Sequence, residues 1–217
     1  MIHQLIFATP RPGMTPENFK DYWINVHARN FASKIPQIKE YKVSRILTGD
    51  ETPIFHGMAE IWLENETEQL ASLQSDEFIN GARADEPKWA AFWASLCLDT
   101  TTVPIAQSDG DYKHKLVYLI KRKGGIPLQV FRRYAQDTAG ASVRNISGIK
   151  AACLCVANDG LYAVGESRFD AAYQLWFASP EEAAEAKSSQ GFAKFVSEIN
   201  DASDSVLEFM CEENTII

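Results

Sequence analysis

The sequence predicts an α+β protein made of two tandem repeats, each with the element order β-α-β-β-α-β. The chain has 217 residues, 46% of them hydrophobic, which is enough for two small domains or one larger one. A succession of strand-like and helix-like segments fills the first half and begins again in the second. Several aromatic residues and a cysteine also recur at a nearly constant spacing, which indicates an internal duplication.

The first repeat, residues 1–106, opens with an apolar segment at residues 2–9 that predicts a strand. Thr15 is a suitable N-cap and Pro16 a suitable first helical residue. The sequence therefore predicts a helix from Thr15 to about Asn30.

The rest of the first repeat is predicted to form two strands, a helix and a last strand. Residues 38–47 and 54–63 have strand character, and Thr48-Gly49-Asp50 between them is typical of a turn. Asn65 is suited to cap the second helix, and residues 95–103 predict the last strand. This is the split-βαβ, or ferredoxin-like, order.

After a polar linker at residues 104–113, the second repeat, residues 107–217, has the same element order. Two aromatic residues recur after 112 positions, in the pairs Phe19 and Phe131, and Tyr22 and Tyr134. Three further residues recur after 114 positions, in the pairs Trp62 and Trp176, Phe78 and Phe192, and Cys97 and Cys211. A short loop insertion explains the difference between the two spacings. We therefore interpret the chain as a tandem duplication.

A four-stranded sheet with both helices on one face leaves its other face bare, and an apolar face has to be buried. In a single-repeat protein a second copy of the chain covers that face. Here the second repeat can take its place, so we predict two ferredoxin-like repeats that form an intramolecular dimeric-type α+β barrel. The protein is then either a monomeric pseudo-dimer or a homodimer.

The composition limits the partners that the protein can have. Its net charge is −8 and its pI about 5.1, which argues against nucleic acid and against anionic membrane surfaces. No apolar segment approaches the length of a membrane span and no basic leader follows Met1, so a cytoplasmic protein is expected. The four cysteines lack the spacing of a metal site or a disulfide scaffold, and reduced thiols are expected.

His27 is the best candidate for chemistry because it lies beside an aromatic helical face. Phe19, Tyr22, Trp23 and Val26 follow the spacing of a buried face, and His27 comes one turn after Trp23. An imidazole held against aromatic rings is disfavoured as a cation, so it can accept a proton at neutral pH. The alternative is that His27 is a hydrogen-bonded packing residue.

The predicted topology brings further polar residues towards His27. The first helix runs antiparallel to the first strand, so its last turn should return to the level of His3. The third strand should place Glu60 and Trp62 at the same level. One face of that strand is expected to carry His56, Met58, Glu60 and Trp62. Glu60 is then either the partner of a basic residue across the barrel or a site residue.

Short motifs in the first repeat carry a resemblance to a known family. They are Pro12-Gly13-Met14-Thr15-Pro16-Glu17-Asn18-Phe19, Tyr22-Trp23, Val26-His27-Ala28, Ile35-Pro36 and Gly57-Met58-Ala59-Glu60-Ile61-Trp62. In these motifs residues 1–103 resemble the EthD family of the dimeric α+β barrel superfamily. Residues 114–213 resemble it only in element order and in Phe131, Tyr134 and Trp176.

The resemblance implies a cofactor-free enzyme that acts on a small hydrophobic aromatic or polyketide-like molecule. Members of the superfamily include cyclases, lyases, isomerases and monooxygenases, and haem-binding members also exist. A neutral histidine in an aromatic pocket suits abstraction of a proton from a phenol or from a carbon next to a carbonyl group. The alternatives are a cofactor-independent monooxygenase and a binding protein without turnover.

We expect one active pocket, in the first repeat. The catalytic candidates are His27, His3 and Glu60, and the ligand-binding candidates are Tyr22, Trp23, Asn30, His56, Met58 and Trp62. The second repeat has Ala139, Asp170 and Gln174 at the positions of His27, His56 and Glu60, and it is expected to act as a scaffold.

No cofactor and no metal are predicted. The sequence contains no G-x-G-x-x-G, G-K-[ST] or G-x-S-x-G motif. His3 and His56 are expected at opposite ends of neighbouring strands, too far apart to bind one metal ion together with Glu60.

Overall fold

The computed structural model describes residues 1–47 and 53–217, and its elements follow the predicted order in both halves. The strands are β1 (Ile2–Ala8), β2 (Ile38–Leu47), β3 (Gly57–Leu63), β4 (Leu96–Ala106), β5 (His114–Arg122), β6 (Ala151–Ala157), β7 (Ala171–Phe177) and β8 (Ser203–Thr215). The α-helices are α1 (Pro16–Tyr22), α2 (Glu66–Gln74), α3 (Arg83–Asp85), α4 (Leu128–Tyr134), α5 (Gly140–Val143), α6 (Pro180–Lys187) and α7 (Gln190–Asp201). Segments of π-helix cover Trp23–Ala28, Glu77–Ala82 and Ala135–Ala139, and short 3₁₀ turns cover Ala32–Lys34, Glu86–Lys88, Phe92–Ala94 and Asp159–Tyr162.

The hydrogen-bonded strand order, β1-β3-β2-β8-β5-β7-β6-β4, is that of a closed eight-stranded barrel. This confirms the predicted α+β fold class of two tandem ferredoxin-like repeats. The chain divides into two compact units, Met1–Asp99 with Glu212–Ile217, and Thr100–Cys211.

The first helix begins as the sequence predicts and then widens. The Thr15 side chain accepts a hydrogen bond from the Asn18 backbone N–H, and Pro16 is the first helical residue. After α1 the backbone continues as the π-helical segment Trp23–Ala28. In the second unit α4 continues in the same way as Ala135–Ala139, so both repeats share this feature. Segments of π-helix are frequent at functional sites.

In the first unit the helices pack on one face of the β1-β3-β2 sheet. The core on that side contains Ile2, Ala8, Phe19, Trp23, Ala59 and Trp89. Because successive side chains of a strand alternate between faces, the other face carries His3, Leu5 and Phe7 from β1 and Met58, Glu60 and Trp62 from β3. A Cβ atom at Gly57 would lie 2.8 Å from Cζ3 of Trp23, so glycine is what allows the helix to approach β3 here.

The second unit packs its helices on β5-β7-β6 in the same manner. Its core joins Leu116, Tyr118 and Ile120 of β5 to Phe131, Phe192 and Phe195 of the helices. Ser179 caps α6, since its Oγ accepts a hydrogen bond from the Glu182 backbone N–H at 3.2 Å, as the sequence predicts.

The start of the third strand differs from the prediction. β3 begins at Gly57, not at residue 54, and the chain bends just before it. Phe55 packs against Phe7, with ring centroids 5.4 Å apart, on the face away from the helices. His56 lies edge-on to Phe19 of α1, at 6.3 Å, on the helix side. The expectation that His56 shares a face with Met58, Glu60 and Trp62 is therefore wrong, because the period-2 alternation starts only at Gly57. The turn predicted at residues 48–50 lies outside the described residues.

Over residues 1–47 and 53–217, none of the helices combines the length and the apolar character that crossing a bilayer requires.

Candidate active site

His27 and Asp85 form a buried hydrogen-bonded pair in the first unit. The π-helical segment presents His27, and α3 ends at Asp85. Nδ1 of His27 lies 3.0 Å from Oδ2 of Asp85, and the two residues are 5% and 1% exposed. An ionised carboxylate can only accept hydrogen bonds, so Nδ1 carries the proton and Nε2 keeps a lone pair. Nδ1 makes the one hydrogen bond of the His27 ring within the described part of the chain, and His27 is among the residues that line a cavity.

The protonation states of this pair suit a general base. Burial lowers the pKa of His27, and the hydrogen bond and charge of Asp85 oppose this effect without cancelling it. Burial alone favours protonated Asp85, but hydrogen bonds from His27, Lys88 and Tyr22 hold the pKa of its carboxyl below the usual value. At neutral pH the pair is therefore a neutral imidazole next to a carboxylate.

Two further donors fix the Asp85 carboxylate. The Tyr22 hydroxyl donates to Oδ1 at 2.9 Å, and Nζ of Lys88 lies 3.1 Å from the same atom. Burial and the neighbouring Asp85 raise the pKa of Tyr22, so its hydroxyl remains protonated as a donor. Tyr22, which the sequence suggested as a ligand-binding residue, thus holds the partner of His27.

A cavity of about 90 Å³ lies against His27, between the sheet and the helices of the first unit. Most of its lining is apolar or aromatic and includes Ile6, Trp23, Tyr41, Ile61, Phe78 and Trp89. Its polar lining residues are Gln4, His27, Ser72 and Glu86. A mostly apolar cavity with a few polar groups is the usual form of a small-molecule site.

Two tryptophans line this cavity and differ in their hydrogen bonding. The Trp23 indole N–H donates to the Tyr41 hydroxyl oxygen at 3.3 Å. Trp89 is fully buried, with its ring centroid 4.7 Å from that of His27 and 4.8 Å from that of Trp23. Of all the residues described, none accepts a hydrogen bond from the Trp89 indole nitrogen.

Glu86 is a second titratable group at the cavity. It is 8% exposed, and Nη1 of Arg83 lies 3.2 Å from its Oε2. Burial raises the pKa of Glu86 to about 7, although the Arg83 charge opposes the shift. Its carboxyl therefore changes charge near neutral pH.

His3, Glu60 and Trp62 form a separate cluster on the other face of the sheet. Nε2 of His3 lies 3.0 Å from Oε1 of Glu60, and the His3 ring stacks on Trp62 with centroids 4.1 Å apart. Nζ of Lys42 lies 5.5 Å from the centre of the Trp62 ring and 3.1 Å from Oε1 of Glu213. Burial disfavours charged Lys42, but Glu213, Glu60 and Glu40 together raise its pKa.

The expectation that His27 and His3 lie close together is wrong. Gln4 and Ile6 of β1 line the cavity beside His27, so His3, which alternates with them, points to the opposite face. Glu60 and Trp62 follow His3, because they alternate with Ile61 on β3. The topology placed these residues at the correct level along the strands but could not say on which face of the sheet His27 would lie.

The remaining candidates do not line the cavity. Asn30 is exposed at the end of the first helical region. His56 has its Nδ1 atom 2.8 Å from Oγ1 of Thr9, and Met58 is fully buried on the face opposite the helices. Of the ligand-binding candidates, Trp23 alone is among the lining residues.

At the position in the second unit that is equivalent to the His27 cavity, the cavity is too small for a ligand. The cavity beside Ala139 measures about 10 Å³. The backbone of the second unit nevertheless matches that of the first at one further position. The His56 N–H donates to the Ala8 carbonyl at 2.9 Å in the first unit, and the Asp170 N–H donates to the Ile120 carbonyl at 2.8 Å in the second. The predicted equivalence of His56 and Asp170 is therefore confirmed.

Sequence reasoning missed Asp85, Glu86 and Trp89. They belong to a run of short irregular turns between α2 and β4, including α3 and the 3₁₀ turn Glu86–Lys88. No helical period extends over such short turns, so the sequence does not show which side chains point inward. The available signal was the run Asp85-Glu86-Pro87-Lys88-Trp89, which places carboxylates beside an aromatic residue.

No group of three or more His, Cys, Asp or Glu side chains in the described residues has an arrangement that could hold a metal ion.

The EthD domain model matches residues 11–92, and no curated protein matches the sequence. The overall fold is similar to that of an anthrone oxidase-like protein (TM-score 0.67, 9% identity, covering 99% of this chain and 92% of that one). It is also similar to that of a candidate monooxygenase from Fusobacterium nucleatum (TM-score 0.63, 7% identity, covering 99% of this chain and 93% of that one). A candidate monooxygenase from Lactobacillus acidophilus has a similar fold as well (TM-score 0.57, 12% identity, covering 99% of this chain and 94% of that one). At these identities the likeness concerns the fold alone. The match of residues 11–92 to the EthD domain agrees with the resemblance that the sequence motifs carry.

Proposed function

We propose that the first unit is a cofactor-independent enzyme that removes a proton from a small hydrophobic aromatic or polyketide-like molecule, with His27 as the general base. The observation that carries this proposal is the buried His27–Asp85 pair beside the cavity. Asp85 fixes the tautomer of His27, so that Nε2 offers its lone pair to the substrate.

In the proposed reaction Nε2 takes a proton from a phenol or from a carbon next to a carbonyl group, and the electron pair moves onto the substrate oxygen. The imidazolium that forms is stabilised by the Asp85 carboxylate 3.0 Å away. His27 then returns the proton to another atom of the substrate or to a leaving group. Cyclisation, dehydration and isomerisation all follow this pattern. His3 and Glu60 have no part in this step, since they lie on the other face of the sheet.

A cofactor-independent monooxygenase is the second candidate, and the names of the proteins with the same fold favour it. The first step is the same proton abstraction. The resulting carbanion adds dioxygen, and His27 returns its proton to the peroxide that forms. The peroxide then loses water together with the second hydrogen of the same carbon, which leaves a carbonyl group, so one oxygen atom of dioxygen enters the substrate and the other leaves as water. Both reactions therefore depend on His27.

Proton abstraction can be tested without knowing the natural substrate. Resorcinol exchanges its ring hydrogens through a keto tautomer, and proton NMR in D₂O measures the rate of that exchange. We expect the protein to accelerate it and His27→Ala to lower the rate by about 10²- to 10⁴-fold. His114→Ala, in the second unit, is the matched histidine control and should keep the full rate.

Other outcomes distinguish the alternatives. Oxygen consumption in the same samples would favour the monooxygenase. Saturable binding of resorcinol with no exchange would indicate a binding protein without turnover, and exchange at the full rate in His27→Ala would rule out His27 as the base.

A further inference from the structure

The side chain of Trp89 carries a buried hydrogen-bond donor, its indole N–H group, that the described residues leave unpaired. The residue is fully buried and lines the His27 cavity, and its indole nitrogen has no acceptor among the residues described. Buried donors without a partner are rare in native proteins, because losing the hydrogen bond to water is costly when nothing replaces it. The N–H group is therefore available to donate a hydrogen bond to a ligand that binds in the cavity.

Packing does not explain why residue 89 is a tryptophan. The ring makes aromatic contacts with Phe19, Trp23, His27 and Phe92, with centroid distances from 4.7 to 5.7 Å, and a phenyl ring can make contacts of this type. Trp23, the other indole of the cavity, has a satisfied N–H group. The two tryptophans thus line the same cavity, but only the indole N–H group of Trp23 has a hydrogen-bond acceptor among the described residues.

The place of Trp89 beside His27 points to a role in substrate binding. Their ring centroids are 4.7 Å apart, so a single small molecule can reach both. When a base removes a proton from a phenol or a ketone, the negative charge collects on the oxygen atom. A preorganised N–H donor in a dry site stabilises such an oxygen better than water does.

We propose that the indole N–H of Trp89 binds the oxygen atom of the substrate, and that the substrate is a phenol or cyclic ketone with a single ring. This inference rests on the proposed function for the identity of the base, but the binding role of Trp89 can be tested separately. The ring number follows from the volume of about 90 Å³. An apolar cavity of about 150 Å³ binds benzene, so one ring needs modest side-chain movement here and a fused ring system needs the site to open.

The test uses the whole protein with ¹⁵N-labelled tryptophan, whose five indole N–H signals are resolved by NMR. Phenol is titrated as the probe, and benzene is the matched ligand without an oxygen atom. Trp89→Phe identifies the Trp89 signal, and Trp93→Phe, at a residue that is 78% exposed, is the control. Thermal unfolding shows that each variant remains folded.

We expect phenol to bind at least about tenfold more tightly than benzene, which corresponds to one hydrogen bond of about 1.4 kcal/mol. Phenol should shift the Trp89 indole proton downfield, and benzene should not. In Trp89→Phe the preference for phenol should disappear, whereas Trp93→Phe should retain it. Equal binding of the two ligands, no detectable binding of phenol, or an unchanged preference in Trp89→Phe would overturn the inference.

Resorcinol exchange in the same samples separates this inference from the proposed function. A phenol-dependent Trp89 shift without exchange supports the oxygen site and removes His27 as the base. Exchange without a Trp89 shift supports the base and removes the role of Trp89.

Discussion

Asp85 lies 58 residues after His27 in the chain, yet its Oδ2 atom is 3.0 Å from Nδ1 of His27. Tyr22 and Lys88 hold its other oxygen, so the carboxylate is fixed from both sides. A histidine that is neutral, buried and oriented by a fixed carboxylate has the properties required of a base at neutral pH.

Replacing Asp85 with asparagine should reduce catalysis more than it reduces stability. Asp85→Asn keeps the shape of the side chain and removes its charge, so the imidazolium form of His27 loses its stabilising partner. We expect the exchange rate to fall by about 10²-fold or more, since the equivalent change in a catalytic triad costs about 10⁴-fold. NMR exchange rates and melting temperatures on the same samples check this.

Tyr22→Phe is the matched control for Asp85→Asn. It removes one hydrogen bond to Asp85 and leaves the charge in place, so its rate should fall less than that of Asp85→Asn. If Asp85→Asn and Tyr22→Phe reduced the rate equally, the charge of Asp85 would have no catalytic role.

The pH dependence of exchange should report the lowered pKa of His27. A base acts in its neutral form, so the rate should rise with pH, with a midpoint below 6.5, and remain level above it. In Asp85→Asn the midpoint should move to lower pH, because burial still lowers the pKa of His27 while the opposing charge is gone. Rates measured between pH 4.5 and 8 test both statements, and a midpoint above 6.5 in the native protein would contradict them.

Most of the fold could be predicted from the sequence because local signals and the repeat agree. Thr15 and Ser179 cap the helices that their neighbours predict, and Asn65 accepts a hydrogen bond from the Glu68 backbone N–H at 3.0 Å. The start of β3 could not be predicted, because Phe55 and His56 look like strand residues but precede the first paired residue, Gly57.

The site could be predicted only in part. The burial of His27 follows from its place beside the apolar face of the helix. In the π-helical segment it is buried together with Trp23, Ile24 and Ala28, whereas Val26 is only half-buried. The position of His3 could not be inferred, because topology fixes the level of a residue along a strand more firmly than the face of the sheet on which a distant helix packs. Asp85 and Trp89 lie in short turns without a period, so only the tertiary structure brings them to His27.

Glu86 should make the stability of the protein depend on pH. Its pKa is raised from 4.5 to about 7, so the folded protein binds this proton more tightly than the unfolded chain. The stabilising contribution is therefore complete below pH 4.5 and is lost as the pH rises through about 7. Glu86→Gln, which keeps a neutral side chain at every pH, should gain stability relative to the native protein by up to about 3 kcal/mol between pH 4.5 and 8.

Urea denaturation at pH 4.5 and pH 8 measures this difference. Glu64→Gln, at a side chain that is 65% exposed, is the control and should change the free energy of unfolding at pH 8 much less than Glu86→Gln does. A pH-independent effect of Glu86→Gln would mean that folding does not raise the pKa of Glu86.

Asp170 should matter for the stability of the protein and not for its chemistry. It is fully buried, with its carboxylate 2.6 Å from Nη1 of Arg122, 3.0 Å from Nζ of Lys121 and 2.6 Å from the Tyr162 hydroxyl. Asp170→Asn removes the carboxylate charge that these three donors contact. The free energy of unfolding should therefore fall by about 2 to 3 kcal/mol. The exchange rate per folded molecule should stay at the native value.

His56→Ala is the counterpart of this change in the first unit, at the equivalent backbone position. Among the described residues the His56 side chain has one hydrogen bond, to Thr9, so its loss should cost about 1 kcal/mol. Denaturant unfolding and resorcinol exchange on both variants compare the two repeats directly. If Asp170→Asn abolished exchange while the protein stayed as stable as before, the chemistry could not belong to the first unit alone, because Asp170 and its partners Arg122, Lys121 and Tyr162 all lie in the second.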